Sequence, residues 1–347
     1  MTVRRDPPTL FELEQPPGPR QGPVPVPPSE ELLRLGRLLP PGVYLGTSSW
    51  SFGGWRGIVY AHSHTDAELA RAGLPAYAAH PVLRTVSIDR GYYQPLSVDE
   101  YQRYAAQVPE EFRFVVKAPS RHTDAMLRAD GGLPERNNPD FLDATQTIEQ
   151  FVLPALEGLG ARAGPLLFQF APLPREALCG DAAIGLIERI GDFLGALPSD
   201  SAHGRPLYAV ELRNPELLTP RFVRMLREHG ARLCVGIHAR MPDAIRQSAA
   251  LRAMDHDADA HDDAWRLAGP LVIRWNLRAG LRYEGAKSRY APFDRIVDPD
   301  LVTRGALSHL VHVALRSAQP AYVIVNNKAE GSAPLSCIEL AHAIVRD

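Results

Sequence analysis

The chain is poor in most features that assign a protein to a class at first sight. Its 347 residues include three cysteines, Cys179, Cys234 and Cys337. Their number is odd and they stand far apart in apolar stretches. That argues against a disulfide framework or a cysteine-built zinc site, and suits reduced core residues of a cytoplasmic protein. No apolar run approaches the roughly 20 residues that a membrane-spanning helix needs. The N-terminus lacks the apolar region of a signal peptide. A net charge of −2 and a pI near 6.6 give no overall basic footprint of the kind that nucleic-acid binders often carry. There is no G-x-G-x-x-G turn, no P-loop and no internal repeat, so the usual nucleotide-phosphate signatures are missing.

Proline, in contrast, is abundant, with 32 in the chain. Many crowd into residues 1–41, where "PPTLFELEQPPGPRQGPVPVPP" cannot sustain a ladder or a helix for long. This stretch is expected to be an extended arm, separate from a domain over residues 42–347. A role in recruiting a partner is one reading of it.

Beyond residue 42, short runs rich in β-branched and aromatic residues recur. They are "VYLGTSSW" (43–50), "LRTVSID" (83–89), "FRFVVK" (112–117), "LLFQF" (166–170), "LYAVELR" (207–213), "RLCVGIH" (232–238), "LVIRWN" (271–276) and "AYVIVNN" (321–327). Each has the length of a strand. Helical patterns lie between most of them. Ser97 with Glu100 has capping-box spacing. Thr219, Pro220 and Gly230 mark the start and stop of another helix. Residues 140–160, 299–318 and 334–346 also read as helices. Eight strand–helix alternations in about 300 residues match a closed (β/α)8, TIM-barrel-like domain. A doubly wound open sheet is the alternative, but the expected glycine-rich turn after its first strand is missing.

The strands begin apolar and end polar: Ser48, Ser49 and Trp50; Asp89; Lys117; Gln169; Glu211 and Arg213; His238; Arg274 and Asn276; Asn326 and Asn327. In a barrel these ends meet at the C-terminal rim, where function sits. Glu211 and Arg213 share one face by the strand period of two. Lys117 is expected to be paired with Glu211 across the mouth, since a lone buried ammonium is expensive. The competing reading is a buried salt-bridge network that only closes the barrel.

The segments "LGTSSWSFGGWRG", "FRFVVKAP", "LLFQFAP", "AVELRNP" and "VNNKAEGSAP", in this order over about residues 43–346, resemble the successive motifs of the domain-of-unknown-function 72 family, also called YecE-like. The resemblance implies a TIM-barrel-like fold and no established activity. It carries the family's polar motif positions onto Trp50, Trp55, Lys117, Gln169, Glu211, Arg213 and Asn327. Where the family commonly has "VEIN", this chain has "VSID", with Ser87 and Asp89.

Together these readings point to an enzyme, or an enzyme-like binder, of a small anionic or sugar-containing ligand at the rim. The expected catalytic residues are Glu211 as general acid/base, Lys117 and Asp89. The expected ligand-binding residues are Trp50, Trp55, Tyr93, Gln169, Arg213, Arg274, Asn326 and Asn327. Lys117, Arg213 and Arg274 serve as anion anchors in this scheme, although Lys117 also has the chemistry for a Schiff base. No metal or other cofactor is expected. The segment "DHDADAHDD" (255–263) has metal-ligand types without a repeated spacing and reads as a solvated loop. Nucleic acid, with rim cations on phosphates and Tyr92 and Tyr93 stacking on bases, is the alternative partner class. A non-catalytic scaffold is the third.

Overall fold

The computed structural model describes residues 22–128, 134–256, 265–278 and 280–346. Eight parallel strands close into a barrel: β1 (Val43–Thr47), β2 (Leu83–Ile88), β3 (Arg113–Lys117), β4 (Ala163–Gln169), β5 (Tyr208–Glu211), β6 (Arg232–Ile237), β7 (Leu271–Trp275) and β8 (Ala321–Val325). Each pairs with its neighbours in sequence, and β1 pairs with β8 to close the ring. This is the (β/α)8 arrangement expected from the alternation of strand and helix patterns.

Strand alternation divides the core in two. Val115, Leu167, Ala209, Cys234, Val272, Tyr322 and Ile324 pack together inside the barrel. The residues between them, such as Val116, Phe168, Val210 and Val323, join the larger core between the strands and the helices. Steps of two from the inner set lead to Lys117, Gln169, Glu211, His238, Arg274 and Asn326 at the C-terminal ends. The polar ends therefore converge because they share the inward parity of the interior residues. Gly236, two before His238, makes room for one of them. A Cβ there would lie 3.2 Å from Glu211 Cγ and 3.3 Å from its carboxylate.

Local signals set several of the helices. Ser97 Oγ accepts from Glu100 N–H while the Glu100 carboxylate accepts from Ser97 N–H, starting Val98–Ala105. Thr219 caps Pro220–Glu228 by accepting from Phe222 N–H. Helices Leu301–Arg316 and Ala333–Arg346 fall where expected. The helix expected over 140–160 starts at Ala144, after the Asp143 cap, and runs to Leu159 through a π turn at Ile148–Val152. Pro154 follows that turn and contributes no N–H to the ladder. Gly180–Ala196 and Ala244–Asp255 complete the outer layer around β4 and β6. After β3, a short antiparallel pair, Met126–Arg128 with Pro134–Asn137, stands at the rim.

Two expectations are corrected. The arm is not extended through residue 41. Between Pro28 and Pro40 it has no proline, and there "SEELLRLGRLL" forms the helix Glu30–Leu38, with Ser29 accepting from Leu32 N–H. Leu35 and Leu39 are buried in the core, and the helix packs against Ala333–Arg346. Arg84 of β2 donates to the carbonyls of Gly36, Leu39 and Pro40, which satisfies the helix C-terminus. Residues 1–21 of the arm lie outside the described residues. Cys179 is not a core residue either: it is exposed just before Gly180–Ala196, whereas Cys234 and Cys337 are buried.

Candidate functional site

The inward parity brings Lys117, Gln169, Arg213, Arg274, Asn326 and Asp89 to one cavity of about 410 Å³ at the C-terminal end of the barrel. Glu211 lies beneath them, fully buried. Its Oε1 accepts from Arg213 Nη2 at 2.8 Å and from Asn276 Nδ2 at 3.0 Å, and its Oε2 accepts from Arg274 Nη1 at 2.7 Å. Gln169 Oε1 accepts from both guanidinium groups, at 2.9 and 3.0 Å. Arg274 Nη2 reaches Asp89 Oδ2 at 3.2 Å, and Asp89 Oδ1 accepts from Ser87 Oγ at 2.5 Å. The two carboxylates are thus bridged by one guanidinium. This agrees with the salt-bridge reading of Asp89 and Glu211 rather than with a free carboxylate pair.

Electrostatics follow from this packing. Burial alone would raise the Glu211 carboxyl, but the charges of Arg213 and Arg274 reverse that and hold it at about 2. Glu211 is therefore held as an anion near neutral pH, the state of a counter-ion to the two guanidinium groups. Burial of Arg274 opposes its charge, while Glu211 and Asp89 more than compensate and keep it protonated. Arg213 directs Nη2 at Glu211 and Gln169. Its buried Nε has no hydrogen-bond partner among the described residues, and Nη1 takes part in none of these bonds. His238 also lines the cavity. Its Nδ1 accepts from Arg240 N–H, and burial next to Arg213 lowers its pKa to about 4, so the ring is neutral.

Lys117 departs from the expected pairing. It forms no ion pair with Glu211, whose oxygens the two arginines and Asn276 occupy. Its ammonium instead sits over the ring of Tyr92, 3.5 Å from the centroid. The side chain is 8% exposed. Burial lowers its pKa from 10.5 to about 8, an effect that the attraction of Asp89 only partly offsets. Lys117 and the two arginines make three cations against the two carboxylates, so the floor and wall of the cavity carry excess positive charge.

Other expected site residues separate by parity and depth. Asn326 faces the cavity, and its Nδ2 donates to Ser48 Oγ at 2.9 Å. Asn327, one residue on, faces away. Its Oδ1 accepts from Trp55 Nε1 at 3.2 Å and from Ala333 N–H at 2.8 Å, fastening the loop after β1 to the start of the last helix. Trp55 and Asn327 are both buried in this contact, and neither lines the cavity. Trp50 donates from Nε1 to Leu69 O and packs edge-on against Tyr104. It lines a separate cavity of about 480 Å³, whose wall Asp89 shares. Tyr93 is 87% exposed at the mouth.

Tyr283 and Lys328 were not among the expected residues. Tyr283 lines the cavity from the segment after β7, where no strand or motif marks it. Lys328 places its ammonium 4.1 Å from the Tyr283 ring centroid. Its position, two beyond Asn326, is the sequence signal that would have found it. In "DHDADAHDD", Asp255 is not solvated: it accepts both terminal nitrogens of Arg232, at 2.6 and 2.7 Å, in a buried pair. Residues 257–263 lie outside the described residues. Among the described residues no cluster of His, Cys, Asp or Glu is arranged to hold a metal, and no helix is long and apolar enough to cross a membrane.

The chain was compared with known proteins. A family model described as "Protein of unknown function DUF72" matches residues 44–346. A solved DUF72 family protein from Enterococcus faecalis V583 is 18% identical, with a TM-score of 0.56 over 87% of this chain and 95% of that one. Another, from Thermotoga maritima MSB8, is 18% identical, with a TM-score of 0.54 over 86% and 98%. At this identity the likeness establishes the fold alone. No curated protein matches the chain.

Proposed function

Since the chain belongs to the DUF72 family, whose function is unknown, we propose from the site itself that it is an enzyme or enzyme-like binder of a small anionic molecule at the C-terminal rim. The observation that carries this reading is Lys117: a buried cation lining a cavity, over the Tyr92 ring and with no carboxylate at ion-pair distance among the described residues. A buried charge without a counter-ion is costly. A ligand that brings the missing negative charge would relieve the cost.

The remaining groups support a division of labour. Glu211 and Asp89 hold Arg274 in place. Arg213 lines the cavity with a planar guanidinium that suits carboxylate or phosphate, and only its Nη2 is engaged by Glu211 and Gln169. Neutral His238 and Asn326 are hydrogen-bonding groups for the uncharged part of the ligand. The volume of about 410 Å³ is that of a small-molecule site.

Thermal unfolding with phosphate, sulfate or a small carboxylate tests the reading. Wild type is expected to gain stability with anion concentration, by about 2.7 kcal/mol at one hundred times Kd. Lys117→Met is expected to fold and to lose most of that gain. An equal gain in both proteins refutes the proposal.

A further inference from the structure

Lysine is nearly absent from this chain. Of 38 Lys and Arg residues, only Lys117, Lys287 and Lys328 are lysine. Among the described residues every ion pair formed by a basic side chain uses arginine or histidine. Among the described residues the cations of these pairs are guanidinium groups, His64 beside Glu68 apart. Yet one of its three lysines lies on the inner face of β3, buried, in the wall of the rim cavity and bonded to no acid. A guanidinium does not deprotonate in proteins, whereas an amine does and then presents a nucleophilic lone pair.

We infer that Lys117 is a nucleophilic amine that forms an imine with a small aldehyde or ketone carrying an acid group. This deepens the proposed anion site by naming its substrate class. The placement supports it: the guanidinium of Arg213 lines the same cavity as Lys117, a cation for the acid group beside the amine. The face of Tyr92 holds the amine without supplying a carboxylate that would keep it protonated. Burial among the arginines lowers its pKa to about 8, so a usable fraction is neutral near physiological pH.

The step balances without any redox partner. The ammonium first loses one proton to solvent. The Nζ lone pair attacks the carbonyl carbon, the C–N bond forms, and the carbonyl π pair moves to oxygen. One Nζ proton passes to that oxygen to give the carbinolamine. The hydroxyl then leaves as water with the second Nζ proton, and the C=N bond forms. When the imine nitrogen is protonated, its charge replaces that of the ammonium, with Asp89 as the strongest of the attractive charges acting at this position.

Trapping with cyanoborohydride in the presence of glyoxylate or pyruvate tests the inference, read by intact mass and peptide mapping. The chain supplies its own controls in exposed Lys287 and in Lys328, which is buried like Lys117 but does not line the cavity. The expected result is a reduced adduct on Lys117, at least ten times faster than on the other two lysines and at least ten times faster than with acetaldehyde, which has no acid group. Lys117→Arg keeps the positive charge but offers no amine, and is expected to give no such adduct. Absence of a wild-type adduct, or labelling spread evenly over the three lysines, overturns the inference. If phosphate still stabilises the wild type in that case, the anion site stands and only the amine chemistry falls. If phosphate has no effect either, both readings fall.

Discussion

Replacing Lys117 with methionine removes a buried charge that has no acid partner, and the structure fixes the size and sign of the effect. The amine falls from 10.5 to about 8 on folding. Below about pH 8 both folded and unfolded chains are protonated, and the folded state carries the full desolvation cost, about 3 kcal/mol. Methionine removes that cost and fills similar volume. It also removes the contact with the Tyr92 ring, about 1–2 kcal/mol for a desolvated pair. The net expectation is a gain of about 1–2 kcal/mol near pH 7, or an upward shift of a few degrees in a domain of this size. Between about pH 8 and 10.5 the unfolded wild type binds more protons than the folded form, so wild-type stability rises with pH there. The variant lacks this rise, and its advantage shrinks and then reverses. Calorimetry of both proteins from about pH 7 to pH 10 in a zwitterionic buffer measures this. A variant less stable than wild type near pH 7, or a difference that stays constant across the window, refutes the assignment of Lys117 as a desolvated, acid-free amine.

Glu211→Gln leaves two buried guanidinium groups short of their common counter-ion and is expected to cost about 3–5 kcal/mol by urea denaturation; the gap should close as pH falls from about 4.5 towards 2, where wild-type Glu211 itself is protonated. A cost below about 1 kcal/mol contradicts the network. Leu35→Ala, in the helix that replaces the expected arm, should cost about 2–5 kcal/mol; a neutral result by the same assay would mean that Glu30–Leu38 is not part of the folded unit. Trp55→Phe removes the hydrogen bond to Asn327 and should lower the thermal midpoint while leaving anion-dependent stabilisation unchanged; loss of that stabilisation would return Trp55 to the ligand site. Wild type is expected to show no micromolar affinity for single-stranded oligonucleotides, and such binding with a steep salt slope, lost in Lys117→Ala, would favour the nucleic-acid alternative.

The barrel was legible because its signal repeats. Eight short β-rich runs separated by capped helices leave few topologies open. The site was legible to the extent that parity could be counted. Glu211 and Arg213 share a face as the period of two requires, and Lys117, Gln169 and Arg274 meet because each lies an even step from an interior apolar residue. The same count, applied to Asn326 and Asn327, separates the one that faces the cavity from the one that pins Trp55. Partner choice was not legible. Lys117 and Glu211 both lie at strand ends, but Arg213, Arg274 and Asn276 engage both carboxylate oxygens of Glu211, and only the three-dimensional arrangement ranks those competitors. The helix at Glu30–Leu38 was hidden by averaging over a proline-rich stretch in which eleven consecutive residues, Ser29 to Leu39, contain no proline.

The Arg274 guanidinium touches acceptors from three other strands at once: Gln169 at the end of β4, Glu211 at the end of β5, and Asp89 just past β2. In mechanical terms it is a hub with three spokes, set across a ring that is already closed by backbone hydrogen bonds. Widening the mouth would stretch charged spokes in a poorly hydrated space, so the ring behaves as a stiff collar. Any motion that admits or releases a ligand must then come from the parts the hub does not hold: the Tyr92–Tyr93 turn, the Tyr283 segment and the short antiparallel pair after β3. Amide exchange should divide along that line, with slow, uniform protection at the ends of β4, β5 and β7, and faster exchange that responds to ligand in those three peripheral segments.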